Sequence, residues 1–210
     1  MLGIPFPTRM CIVRLASGGL WLHSPVAATP ARLDAASSFG PVHHIVAPNK
    51  FHHLFVKAWR EAFPQATSWA EPALARRKPE LGFERTLGDA AEPEWNDDLD
   101  QVIFGGSNVL PESVFFHRAS RSAIFTDLIQ NHDPAGETRF FRWLKGVNRC
   151  LAPDGESPRD WRLTVRNRSA ARAALERVLA WDIERVVVSH GICVERDGHA
   201  FVERAFAWLN

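Results

Sequence analysis

The chain has no tyrosine, two methionines and three cysteines among 210 residues. Cys11, Cys150 and Cys193 are scattered, odd in number and never spaced as Cys-x-x-Cys. That excludes a disulfide framework or a thiolate zinc ribbon and fits a reducing compartment. No stretch reaches the ~18 consecutive apolar residues of a membrane-spanning helix. The opening "MLGIPFPTRM" lacks an apolar core behind a basic start, so a cytoplasmic protein without a secretory signal is expected. Excess charge is missing too: 25 basic against 24 acidic residues give a formal +1. Neither nucleic acid nor membrane is expected as a partner on that balance. Signature loops are also absent. There is no Gly-x-Ser-x-Gly elbow, no Gly-x-Gly-x-x-Gly, no P-loop and no His-Glu-x-x-His.

What is present is apolar and aromatic. Hydrophobic residues make up 46%, with eight Trp and fourteen Phe, enough for a sizeable core in one α/β domain spanning 1–210. "CIVRLASGGLWLHSPV" reads as a hairpin turning at Gly18-Gly19. "TPARLDAASSFG" reads as a helix with Thr29 as cap and Pro30 at its first position. "VHHIVAP" is a short strand, in which one of His43 and His44 should face the core. Asn49 then caps an amphipathic helix, with Phe51, Leu54, Phe55, Ala58, Trp59 and Ala62 as its inner stripe.

The polar stretch from Glu71 to Gln101 reads as loops with short elements. "QVIFGG", "SVFFHRA" and "SAIFTDL" are strands, the last two forming a hairpin. "GETRFFRWLKGVNRC" is a helix whose stripe is Phe140, Phe141, Trp143, Leu144 and Val147. "SAARAALERVLAW" is a helix capped by Ser169, "ERVVVSHG" a buried strand and "HAFVERAFAWL" a closing helix. Strands interleaved with helices fit a layered α/β domain.

Three strands run out onto potential metal ligands: His52 and His53, then Asp127, then His190. Sites in α/β folds gather at the carboxyl ends of strands. Three imidazoles and a carboxylate suit zinc or iron. Each residue alone also fits a structural role, Asp127 as a turn former and "SHG" as a plain turn. His23 and His117 fall in strands and read as structural. His132 is close enough to Asp127 in sequence to support the site or contact substrate. Cys193 reads as a buried thiol. Arg166, Arg168 and Arg172 around a helix start fit a solvated helix end better than a phosphate site.

The chain resembles a family of unknown function that forms a divergent branch of the metallo-β-lactamase-like hydrolases. The resemblance rests on "TRMCIVRLASGGLWLHSPV", "VAPNKFHHLF", "FFHRASRSAIFTDLIQN" and "VVVSHG". It implies an αββα sandwich of two mixed β-sheets flanked by helices. Against the superfamily motif His-x-His-x-Asp-His, Pro48 and Lys50 replace the first two histidines, His52 replaces the aspartate and His53 keeps the last histidine. The later histidine is missing, Val109 being nearest. Asp127 matches the bridging aspartate and His190 the final histidine.

The resemblance thus implies that one metal site is lost and the other kept as His52, His53, Asp127 and His190, with one zinc or iron per chain. Asp127 and Lys50 are the catalytic candidates, Lys50 standing where the first metal was. Three functions stay open: a metal-dependent hydrolase of an ester, thioester, lactone or phosphoester; a metal-free pseudoenzyme acting as a binding or scaffold protein; and a mononuclear iron or zinc redox or sensing protein. A small-molecule substrate and a monomer or homodimer are expected.

Overall fold

The structure, a computed structural model, describes residues 7–210. The chain falls into two compact units. The N-terminal unit, Arg9–Leu99, holds a five-stranded mixed sheet of β1 (Cys11–Arg14), β2 (Leu20–His23), β3 (Val42–Ala47), β4 (Thr67–Ala70) and β5 (Arg85–Thr86), in that order. β1 and β2 are the expected antiparallel hairpin, and the remaining neighbours run parallel. Gly18, at φ 87°, makes the turn. Gly19 lies so close to the His43 ring that a Cβ there would fall 2.0 Å from Nδ1.

Helices α1 (Pro30–Phe39), α2 (Val56–Ala62) and α3 (Pro72–Arg77) cover one face of this sheet. Leu20, Leu22, Ile45, Ala47 and Ala70 meet Val56, Trp59 and Leu74 in that core. The period of two sends Trp21, His23, His44 and Trp69 to the other face. There Trp95 packs edge-on against Trp21, His44 and Trp69. His44 is the buried member of its pair and His43 the exposed one.

The C-terminal unit, Asp100–Asn210 with Pro7 and Thr8, holds a mixed sheet ordered β6 (Leu99–Phe104), β7 (Glu112–His117), β8 (Ser122–Phe125), β9 (Arg185–Val188). β7 and β8 form the expected hairpin, while β8 and β9 are parallel. Helices α4 (Arg139–Val147), α5 (Arg159–Arg162), α6 (Arg168–Leu179) and α7 (Gly198–Ala205) complete the unit. Its core joins Val114, Phe125 and Val188 to Leu175, Val178, Phe201 and Phe206.

Four local expectations are corrected. The helix after β3 begins at Val56, not after Asn49, because Asn49 closes a turn over residues 49–52. Phe51 and Leu54, placed on its inner stripe by spacing, are therefore 48% and 63% exposed. α6 is capped by Asn167, whose Oδ1 accepts from Ala170 N, while Ser169 Oγ donates to that same oxygen. Cys193 is half-buried. The apolar stripe of α4 faces outward. No helix among the described residues is long and apolar enough to cross a membrane.

Candidate metal centre

In the N-terminal unit, β2 ends at His23 and the chain turns at Ser24, which sits at φ 56°. This left-handed conformation costs a non-glycine residue about 1–3 kcal/mol. It is held by a hydrogen bond from Ser24 N to Val46 O, and it sets Ser24 Oγ against His52 Nδ1. β3 meanwhile runs out at Ala47 into Pro48 and the fully buried Asn49. Asn49 Oδ1 accepts from Phe51 N at 2.9 Å and His52 N at 3.1 Å. That turn carries His52 and His53 inward, and both are buried.

The two histidines differ in their partners. His52 uses Nδ1 on Ser24, so Nε2 is the atom it would offer a metal. His53 Nε2 lies 3.1 Å from Lys78 Nζ. Burial first, then the Lys78 charge, lowers its pKa and keeps the ring neutral. His23 is pushed down to about 3 by burial and then by His52, its ring stacked on Trp21. Lys50 has its ammonium 4.8 Å from the Phe51 ring centroid, and burial followed by the nearby Arg77 lowers its pKa.

In the C-terminal unit, register does the positioning. Parallel β8 and β9 pair Phe125 with Val188, and Ser189 N donates to Phe125 O. Asp127 and His190 each lie two residues beyond that pair, so they emerge side by side. His190 Nε2 stands 3.2 Å from Asp127 Oδ1, and both residues are buried. His190 Nδ1 lies 2.9 Å from the Pro7 carbonyl. A carbonyl only accepts, so Nδ1 carries the hydrogen and a neutral ring turns its Nε2 lone pair to the carboxylate. Two acceptors at that distance need a cation between them, a proton or a metal ion. The following Gly191 has φ 110°, and a Cβ there would fall 2.0 Å from Asn131 O.

Two further residues support this pair, and the first, Glu112, is not among the sequence candidates. Glu112, fully buried at the head of β7, accepts from Thr126 N at 2.7 Å and Asp127 N at 2.8 Å. It fixes the backbone from which Asp127 projects. Burial first, then the Asp127 charge, raises its pKa. The only signal was an acid opening an otherwise apolar strand. The second support is His132, whose ring stacks on His190 at 6.3 Å and 20°. Its Nε2 lies 3.1 Å from Gln130 Oε1 and its Nδ1 3.2 Å from Lys145 Nζ. Burial, then Lys145, then His190 push His132 down to about 4. The Lys145 ammonium is itself paired with the Glu137 carboxylate, both side chains buried.

Each unit therefore ends its strands on buried ligand-bearing side chains. His52 and His53 adjoin in one, and Asp127 and His190 meet in the other. His117, hydrogen-bonded to Ser120 Oγ at 2.7 Å, and His44, beside Trp69 and Trp95, serve the packing.

Solved structures share the fold. The chain matches a metallo-β-lactamase from Pontibacter korlensis at 14% identity and TM-score 0.61, covering 96% of this chain and 87% of that one. It matches the FIM-1 metallo-β-lactamase of Pseudomonas aeruginosa, in its mono-zinc form, at 15% identity and TM-score 0.61 over 97% and 85%. A flavoprotein of Thermotoga maritima matches at 15% identity and TM-score 0.64, over 94% of this chain and 51% of that one. At such identities the likeness speaks for the fold. The fold is thus the metallo-β-lactamase-like one, with two mixed sheets and flanking helices. No curated protein matches the sequence. The family DUF4336, described as a domain of unknown function, matches residues 1–135, and the chain belongs to that family.

Proposed function

We propose that the protein is a metal-dependent hydrolase with a mononuclear centre, in which His52, Asp127 and His190 hold one zinc or iron ion. The observation that carries the reading is the buried Asp127–His190 pair, an imidazole nitrogen and a carboxylate oxygen 3.2 Å apart at adjacent strand ends, with the ring held from behind by the Pro7 carbonyl. A carbonyl behind a ligating imidazole is the usual outer support of such a site, and Ser24 gives His52 a comparable one. The donor set, two neutral imidazoles and a carboxylate, fits zinc or iron.

His53 is the fourth candidate ligand. Its Nε2 is engaged by Lys78, so it joins the metal only when that ammonium leaves. With Lys78 in place, three protein ligands leave a coordination position open, as catalysis requires. When bound, the metal would supply a Lewis acid and a water acidic enough to give hydroxide near neutral pH.

The chain's own groups supply the rest. Asp127, kept in place by Glu112, would hold the ion through one carboxylate oxygen and leave the other to accept a proton. Lys50, its ammonium beside the Phe51 ring, is the group that would meet an anionic or carbonyl-bearing substrate. Esters, thioesters, lactones and phosphoesters are the substrate classes this chemistry serves. The mono-zinc form of the FIM-1 relative shows that the fold tolerates a single metal in that protein.

The test is elemental mass spectrometry of the untagged protein beside single His52→Ala, His53→Ala and His190→Ala variants. About one zinc or iron per chain, lost with His52 or His190 and kept with His53, is the expected result. An absence of metal after reconstitution would leave the pseudoenzyme reading in its place. Iron with a redox-dependent spectrum would favour the sensing one.

A further inference from the structure

Helix α4 is turned against its own pattern. Phe140, Trp143, Leu144 and Val147 fall at i, i+3, i+4 and i+7, the spacing of a stripe that packs on a core. In the structure these four are 63%, 64%, 39% and 47% exposed. The side chain that α4 buries is Lys145. On the helical wheel Lys145 lies about 150° from the centre of the stripe. Its ammonium is tied to Glu137 and His132, so the stripe cannot roll inward without dragging a buried cation from both partners.

Charge is arranged with equal asymmetry. Arg139 is exposed about 90° from the centre of the stripe, on its Trp143 side, while Arg142 is exposed about 150° round from it and Arg149 lies past the helix end. Arg142 donates to the Glu137 carbonyl, and Arg149 pairs with Glu156 at 3.7 Å. The segment 138–149 contains no acidic residue. The outward side of α4 is thus an aromatic and aliphatic column flanked by Arg139, on a helix whose exposed charges are all basic. The near-neutral total charge, from which no membrane pull is expected, averages this local feature away.

We propose that α4 docks the protein on the surface of an anionic lipid bilayer. Phe140, Trp143, Leu144 and Val147 would enter the boundary between headgroups and acyl chains, while the flanking Arg139 lies among the phosphates and Arg142 adds positive charge from further round the helix. Long arginine stems allow both at once. A second copy of the chain is a poorer occupant. Four side chains per copy fall far short of the ~20–30 residues a side of a stable interface. The arginines would also find no acid on the opposing helix.

The experiment is flotation of the full chain with vesicles of phosphatidylcholine alone and of phosphatidylcholine mixed with phosphatidylglycerol. Two double variants run alongside, Phe140→Ser/Trp143→Ser and Arg139→Gln/Arg142→Gln. All the substituted residues are exposed, and circular dichroism checks each variant's fold. The protein is expected to float with the anionic vesicles only and to be released by salt. Partition should fall about twenty-fivefold in the arginine variant, about fivefold per charge, and vanish in the apolar one. Three results would overturn the proposal: no flotation with either vesicle, equal flotation with both, or equal flotation of the native chain and both variants. A dimer on size exclusion that the apolar variant abolishes, without vesicle binding, would overturn it in favour of a contact between copies.

Discussion

His190 Nε2 faces Asp127 Oδ1 across 3.2 Å while His190 Nδ1 is spent on the Pro7 carbonyl. The tautomer leaves an imidazole lone pair and a carboxylate competing for one cation. With metal bound, that cation is the ion. Asp127→Asn replaces the carboxylate by an amide that can donate to Nε2. The variant is expected to fold as well as the native chain and to lose metal. Denaturant unfolding and elemental analysis on one preparation would show both. Retained metal in Asp127→Asn would remove Asp127 from the ligand set.

Ser24 links strain to ligand orientation. Its left-handed backbone sets the hydroxyl on His52 Nδ1. Ser24→Ala keeps the fold and loses that partner, and outer-shell losses typically cost about 10–100-fold in metal affinity. Competition with a chromogenic chelator measures it. Equal affinity in the variant would show that the Ser24 contact does not orient a ligand.

Glu112 supports Asp127 by accepting two backbone hydrogens in a fully buried position. Glu112→Ala orphans both donors. At about 1–3 kcal/mol each, the loss is expected near 4 kcal/mol in urea unfolding of the metal-free chain. A loss below about 1 kcal/mol would mean that water enters and satisfies Thr126 N and Asp127 N.

The buried Lys145–Glu137 pair makes a different prediction. Lys145→Met leaves the Glu137 carboxylate buried with no cation, which costs about 3–5 kcal/mol. Adding Glu137→Gln removes the stranded charge and should recover most of that loss. Additive effects in this double-mutant cycle would show that the pair is not coupled.

Stability should also depend on pH with a determined sign. His23 is held neutral in the fold, its pKa lowered from 6.5 to about 3, and His44 from 6.5 to about 4. The unfolded chain therefore binds protons that the native chain refuses between those values. Stability present above pH 6.5 is lost as pH falls through this window, and the loss levels off below the folded-state values. For the fully buried His23 the slope is up to about 1.4 kcal/mol per pH unit. Unfolding of metal-free protein followed above and below pH 6.5 tests it, with His23→Phe expected to flatten the slope.

Much of the architecture was legible along the chain, because it depends on neighbours in sequence. The "ASGGLW" hairpin, the strand "VHHIVA", the hairpin joining "SVFFH" to "SAIF" and the helix from Arg168 follow from local period and turn chemistry. The candidate ligands were legible for the same reason, since each ends a visible strand. Three features were not. Asn49 looks like a helix cap, but its side chain closes a turn onto Phe51 N and His52 N and the helix begins only at Val56. Glu112 reads as one surface acid among many until β8 brings two backbone hydrogens to it.

The stripe of α4 is the plainest case. Period establishes that Phe140, Trp143, Leu144 and Val147 share a face, and the sequence by itself determined that much. Which way the face points was decided by Lys145, through Glu137 and His132, partners eight and thirteen residues away. A helix can bury one side only, and here the buried side is that of the tethered ammonium, while the apolar column stays exposed among the described residues. The physical reason is general: periodicity is local and survives translation along the chain, whereas the choice of which face to bury is made by groups that meet only in the folded state.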